Sequence, residues 1–187
     1  VGLALVMIWG FVGVNIMGAK IYERTLILMM FLMFALGSIV IVTGFVFDQA
    51  DFATALIERE NRTVHAGISA FDPITFLSAA AILFASFIGF DAIAQAGGEA
   101  KNPGRNLPLA IGIAIITVGS YYFLFTAAVY HAVPWPFVAE EAFTKDITAP
   151  GLMTYLLPAE WGVAIVLGAA IALINDLPAM LLAVSRL

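Results

Sequence analysis

The chain has no cysteine and only two histidines, His65 and His131. Disulfides, thiolate metal sites and cysteine nucleophiles are therefore excluded, and two histidines so far apart predict no zinc site. Charge is scarce as well: 11% of the 187 residues are charged, whereas 63% are hydrophobic. Soluble domains carry roughly 45–50% apolar residues, and a water-soluble core could not absorb this excess.

Crossing a hydrocarbon layer of about 30 Å takes roughly 20 helical residues. Segments 25–47 and 109–130 contain no charged residue, and 74–98 and 161–184 contain one each, Asp91 and Asp176. With 1–18 they predict five spans, all within one transporter-like transmembrane unit over 1–187, and an all-α integral membrane fold. The chain is apolar from Val1 and stops just past the last span at Ser185-Arg186-Leu187, so a piece of a larger protein is expected. No charged leader or cleavage site marks a signal peptide, and internal spans suffice to direct insertion.

Taken alternately, the connections differ in charge. Lys20, Glu23, Arg24, Glu99, Lys101, Arg105 and Arg186 give five basic against two acidic residues on one side. The opposite side, about 48–73 and 131–160, holds nine acidic against three basic residues. The positive-inside rule makes the first side cytoplasmic. The long outer connections contain apolar stretches predicted to fold as short helices on the membrane face, with breaks at Pro134-Trp135-Pro136 and Ala149-Pro150-Gly151. Trp135 and Trp161 are expected at interfacial depth. Asn61-Arg62-Thr63 matches a glycosylation sequon, a tripeptide common by chance.

Small residues recur at one-face spacing: Gly37 and Gly44, then Gly112, Gly119 and Thr126, then Gly168, Ala172, Ala179 and Ala183. Lipid contact gains nothing from glycine, but close backbone approach does, so a tight helix bundle is predicted.

The third span is unusual. Phe84-Ala85-Ser86-Phe87-Ile88-Gly89-Phe90-Asp91 sets a glycine and a carboxylate at hydrocarbon depth. A helix interrupted at Gly89 leaves free carbonyls on one side and free N–H groups on the other, tolerated at depth only against protein or a water-filled cavity. Broken helices of this kind form substrate and ion sites in secondary transporters. Asp91 then stands near the start of the second half-helix, as a structural cap, as a group that binds a cation or carries a proton, or as both. In the fifth span, Asn175-Asp176 precedes Pro178, which frees a carbonyl near Ile174. Asp176 is either a plain buried hydrogen-bond partner or part of a polar pocket. Between spans three and four, Asn102-Pro103 is expected to end one helix and Pro108 to open the next, with Asn106 as its cap.

The patterns F-x-x-F-x-G-F-D over 84–91 and E-x-K-N-P-x-R-x-x-P-x-A-I over 99–111 resemble the sixth helix and following loop of the amino acid-polyamine-organocation (APC) permeases. Asn15-Ile16-Met17-Gly18-Ala19-Lys20 is similar to the N-x-x-G-x-K turn after that family's fourth helix, and Ser185-Arg186 to the turn after its eighth. The resemblance covers the whole chain as helices four to eight. It implies a partial LeuT-like inverted-repeat helix bundle with one broken span, in which that span offers carbonyls to a substrate amine while an aromatic closes over it. By position, Phe84, Ala85, Phe87, Ile88, Gly89, Phe90 and Asp91 are the implied substrate lining. Proton-coupled relatives often carry a lysine midway along helix five, but no Lys lies between Lys20 and Lys101, and Met33 falls near that place. The loop motif also has Gly98-Glu99 where a paired acid is usual. Asp91, Asn175 and Asp176 are left as candidates for proton or ion coupling, or the protein is an exchanger.

The resulting expectation is a multi-pass permease of the plasma membrane that moves amino acids or related amines by alternating access. It uses no cofactor, with proton or sodium coupling as the open alternative, and no covalent chemistry. Its partners are the substrate, the lipid bilayer and the missing helices of the same chain, with no nucleic acid. A channel-like or structural membrane subunit is the competing class.

Overall fold

The computed structural model describes residues 2–17, 19–64, 72–84, 102–145 and 147–185. Every regular element among the described residues is helical: α1 (Gly2–Ile16), α2 (Ala19–Val46), α3 (Gln49–Glu60), α4 (Pro73–Phe84), α5 (Pro103–Ala132), α6 (Trp135–Thr144), α7 (Ala149–Met153), a 3-10 turn (Thr154–Leu156) and α8 (Ala159–Ser185). Two stretches, Glu23–Val46 and Pro103–Ala132, are long and apolar enough to cross a membrane.

Helix ends follow local chemistry. Asp48 opens α3 with a capping box: its carboxylate accepts from the N–H groups of Ala50 and Asp51 at 2.8 and 3.0 Å, and Asp51 accepts from the Asp48 N–H at 3.0 Å. Such reciprocal bonds satisfy donors that the first helical turn leaves free. Asn61 closes α3 in the left-handed conformation, φ 52°, and its N–H donates to the Ile57 carbonyl. Asparagine tolerates that region better than other non-glycine residues. Proline sits in the first turn of α6 and of α7, where its missing N–H costs no hydrogen bond.

One expected boundary is corrected. Helix α5 opens at Pro103, not at Pro108, and Asn106 lies inside its first turns rather than capping it. Pro103 takes the tolerant first position. Pro108 then deprives only the Gly104 carbonyl of its helical donor, and Gly104 is exposed at the helix start with open space where a Cβ would stand.

Helix α2 packs along α5 and α8, with α1 against α2 and α8. The contacts are close because small residues meet larger ones. A Cβ on Gly37 would overlap the Tyr121 hydroxyl, one on Gly44 would lie 2.7 Å from the Ala128 Cβ and run into the Ala128 backbone, and one on Gly168 would lie 2.7 Å from the Leu36 Cβ. Between apolar helices in lipid, such fit replaces the hydrophobic driving force that water supplies elsewhere. Gly112, by contrast, faces open space. The α5 side of the contact is instead made by Tyr121 and Ala128, with the Tyr121 ring edge-on to Phe34 at 4.7 Å between centroids.

At one end of these helices, where residues 47–64 and 133–158 connect them, lies the main buried core. Phe52 and Leu56 of α3, Phe137 of α6, and Leu152 and Met153 of α7 gather over Val129, Ala132 and Val133 at the end of α5, Val40 of α2 and Ile165 of α8. The Phe52 and Phe137 rings meet nearly edge-on, 5.3 Å apart. No residue of α4 is buried.

Candidate functional site

The predicted substrate stretch is described only at its first residue. Phe84 is the last residue of α4 and is 68% exposed. Ala85, Phe87, Ile88, Gly89, Phe90 and Asp91 lie outside the described residues.

The second predicted polar place is on α8. Asn175 lies seven residues, about two turns, beyond Gly168, so it shares the face that meets α2 at Leu36. Its side-chain oxygen Oδ1 is buried without a hydrogen-bond partner. An unmet buried acceptor costs about 1–3 kcal/mol. Pro178 lies within the same helix, and having no N–H it removes the helical donor of the Ile174 carbonyl. Among the described residues Asn175 Oδ1 thus has no donor, and the Ile174 carbonyl of the same stretch lacks its usual helical one. That pair suits a donor or a cation, not an anion. Asp176 follows in the same helix.

Reasoning from the sequence missed a polar cluster on the outer side. Glu141 of α6 is fully buried. Its Oε1 accepts from Arg62 Nη2 at 2.6 Å, and its Oε2 lies 3.2 Å from Lys145 Nζ, an ion pair without hydrogen-bond alignment. Arg62 also donates to Glu60 at 3.1 Å, Lys145 to Glu60 at 3.4 Å, and the Tyr155 hydroxyl to Glu60 at 2.5 Å. The Arg62 guanidinium rests over the Phe137 ring, 5.3 Å from its centroid. Below it, Arg59 donates to the carbonyls of Thr154 and Leu157 at 3.3 and 2.9 Å. The Tyr155 hydroxyl and the Arg62 guanidinium hold Glu60 below the usual carboxylate range, and burial, helped by Glu60, pushes the Tyr155 phenol up to about 12.

With two carboxylates against two cations, the cluster is charge-balanced and leaves no net charge to recruit a ligand. The available signal was periodicity: Glu141 stands one turn after the core residue Phe137, so an acid falls on the apolar face of α6. Nothing local pairs it with Arg62, 79 residues earlier. Among the described residues no group of three or more His, Asp or Glu side chains is placed to hold a metal.

A bundle of apolar helices packed through glycine, two of them long and apolar enough to cross a membrane, and closed at one end by a folded cap suits a membrane protein. The comparisons with known proteins narrow the class. The amino acid permease family model matches residues 1–187, and the chain belongs to that family, one of transporters rather than enzymes. It is 31% identical over 113 residues to "Cationic amino acid transporter 2, vacuolar" of Arabidopsis thaliana, which covers 60% of this chain and 17% of that protein. "Cationic amino acid transporter 4" of Homo sapiens is 39% identical over 59 residues, 32% of this chain and 9% of the relative. An uncharacterised transporter of Mycobacterium tuberculosis is 32% identical over 111 residues, 59% of this chain and 24% of the relative. The matches thus span between about a tenth and a quarter of these relatives. No solved structure matches.

Proposed function

We propose that the chain is the middle part of a secondary transporter for amino acids or related amines, working by alternating access in a LeuT-like inverted-repeat bundle of the plasma membrane. The observation that carries this reading is the family match over all of residues 1–187. The five proposed spans are those expected above, and the substrate's amine is bound along Phe84–Asp91, where a break at Gly89 would offer carbonyl oxygens. Asp91, Asn175 and Asp176 are the proposed places for proton or sodium coupling. The unmet oxygen of Asn175 supports the second of these places, because a cation or a proton donor is what that oxygen is short of. The printed names of the relatives make cationic amino acids the first substrates to try.

The test is uptake of labelled amino acids by the full-length protein in vesicles, with and without a proton or sodium gradient. Uptake that falls at least about tenfold in Asp91→Asn supports a binding or coupling role at that residue. A variant with unchanged uptake and unchanged pH dependence would reduce Asp91 to a helix cap. Vesicles that leak ions but accumulate no labelled amino acid would point instead to a channel-like subunit.

A further inference from the structure

Two separate connections form the outer cap. Residues 47–64 follow α2, and residues 133–158 join α5 to α8. They lie some 80 residues apart in the chain, yet they share one core and one charge cluster. Phe52 and Leu56 from the first are completely buried against Phe137, Leu152 and Met153 from the second. Glu141 from the second has its nearest cation, Arg62, on the first. The closing carbonyls of the 3-10 turn, Thr154 and Leu157, are met by Arg59 of the first.

Pulling the two apart would break the 2.6 Å Arg62–Glu141 pair and leave Glu141 only Lys145 of its own connection, expose the Phe52 and Phe137 rings to water, and take the Arg59 donor from the Leu157 carbonyl. Such losses arrive together, since each group sits on the same short interface. From this we infer that the two outer connections form one clamped cap, held by the Arg62–Glu141 and Arg59 contacts, which stays closed on itself through the transport cycle. Any outward opening must then pass beside the cap or carry it as a unit, and no hinge lies between α3 and α6–α7. The outer ends of α2, α5 and α8, which feed the two connections, are tied into the same body. The functional arm of this inference rests on the transport reading above.

The absence of native cysteine allows a direct test. In the full-length chain, Glu60→Cys with Tyr155→Cys places two thiols where two side chains touch, and a reducible linker of similar reach can bridge them. Uptake unchanged within about twofold on bridging, and again after reduction, is the result expected of a cap that never splits. Uptake that drops more than about tenfold on bridging and returns on reduction would overturn it. A second measurement needs no variant: hydrogen exchange of the unmodified full-length protein. Amides of α3 and α6 should exchange with a common opening rate, within about threefold, with and without substrate. Independent rates, or opening of one alone when substrate is added, would also overturn the clamp. If the parent protein takes up no amino acid, the transport reading fails by itself, and the exchange rates still decide whether the cap is one body.

Discussion

The spanning helices and the outer cap hold together by different physics. Along α2 the contacts are glycine against side chain or backbone, at Gly37, Gly44 and Gly168 of α8, and most large apolar side chains there and on α5 remain on the outside. In the cap Phe52, Leu56, Leu152 and Met153 are fully buried, with Ile57 and Trp135 left at the surface. One region excludes nothing and relies on fit, while the other excludes water and gains from each buried ring. A short stretch of chain thus changes its folding rule where the long apolar helices end and the cap begins.

The sharpest way to break this contrast is to make the same change on both sides of it. Phe52→Ala should cost about 3–5 kcal/mol, seen as faster hydrogen exchange throughout α3. Phe123→Ala, on α5 with its ring 74% exposed, should change stability by less than about 0.5 kcal/mol in lipid. Equal effects would erase the distinction.

Overpacking tests the other rule. Gly44→Val drives a side chain into the Ala128 backbone and should lower thermal stability by about 1–3 kcal/mol. Gly112→Val, with nothing within 4 Å of its Cβ, should be near neutral when the two purified proteins are melted side by side.

Smaller effects sharpen the picture of the cap. Asp48→Ala removes the capping box and should cost about 1 kcal/mol, confined to exchange in the first turn of α3. Titration gives the smallest effect. Because the Glu60 carboxyl is held below its ordinary value of 4.5 in the folded cap, its contribution is present above that pH and is lost as acid titrates the folded group. The Tyr155 phenol is raised from 10.0 to about 12, so its share is intact below pH 10 and disappears as pH rises through about 12. Both groups are partly open to water, which limits each limb to under about 1 kcal/mol. Glu60→Gln should flatten the acid limb of a cap melting curve and lower its alkaline midpoint.

Much of this architecture could be read from residue order. The uncharged runs announce apolar helices, and the proline-containing breaks at 134–136 and 149–151 mark where α6 and α7 begin. Pro108 misled because proline is a stop or start signal only on average: in the first turns of a helix, beside Gly104, it is carried with little loss. Glycine spacing identified α2 and α8 as packing faces but misplaced the face of α5, because spacing finds small residues and not the large partners, such as Tyr121, that fill them. The ion pair of Arg62 with Glu141 was hidden for a simpler reason. Its members meet only after Asn61 turns left-handed and α5 returns the chain to the outer side, and no local pattern encodes that meeting. Of the candidate site, Asn175 stood out by its place before a proline, while the unmet state of its oxygen is a three-dimensional fact.

The end of α2 carries an implication for biogenesis. His131 Nδ1 lies 2.9 Å from the Gly44 carbonyl and 3.3 Å from that of Phe47; both are acceptors, so this nitrogen bears the proton. In exchange, the Gln49 amide donates to the Tyr130 carbonyl at 3.2 Å. These knots join residues some 80 positions apart, so when α2 leaves the ribosome its last carbonyls have only water and headgroups to meet them. The end of α2 is therefore closed by protein groups only once α5 has been synthesised, and a nascent chain truncated before His131 would lack the ring that meets those carbonyls.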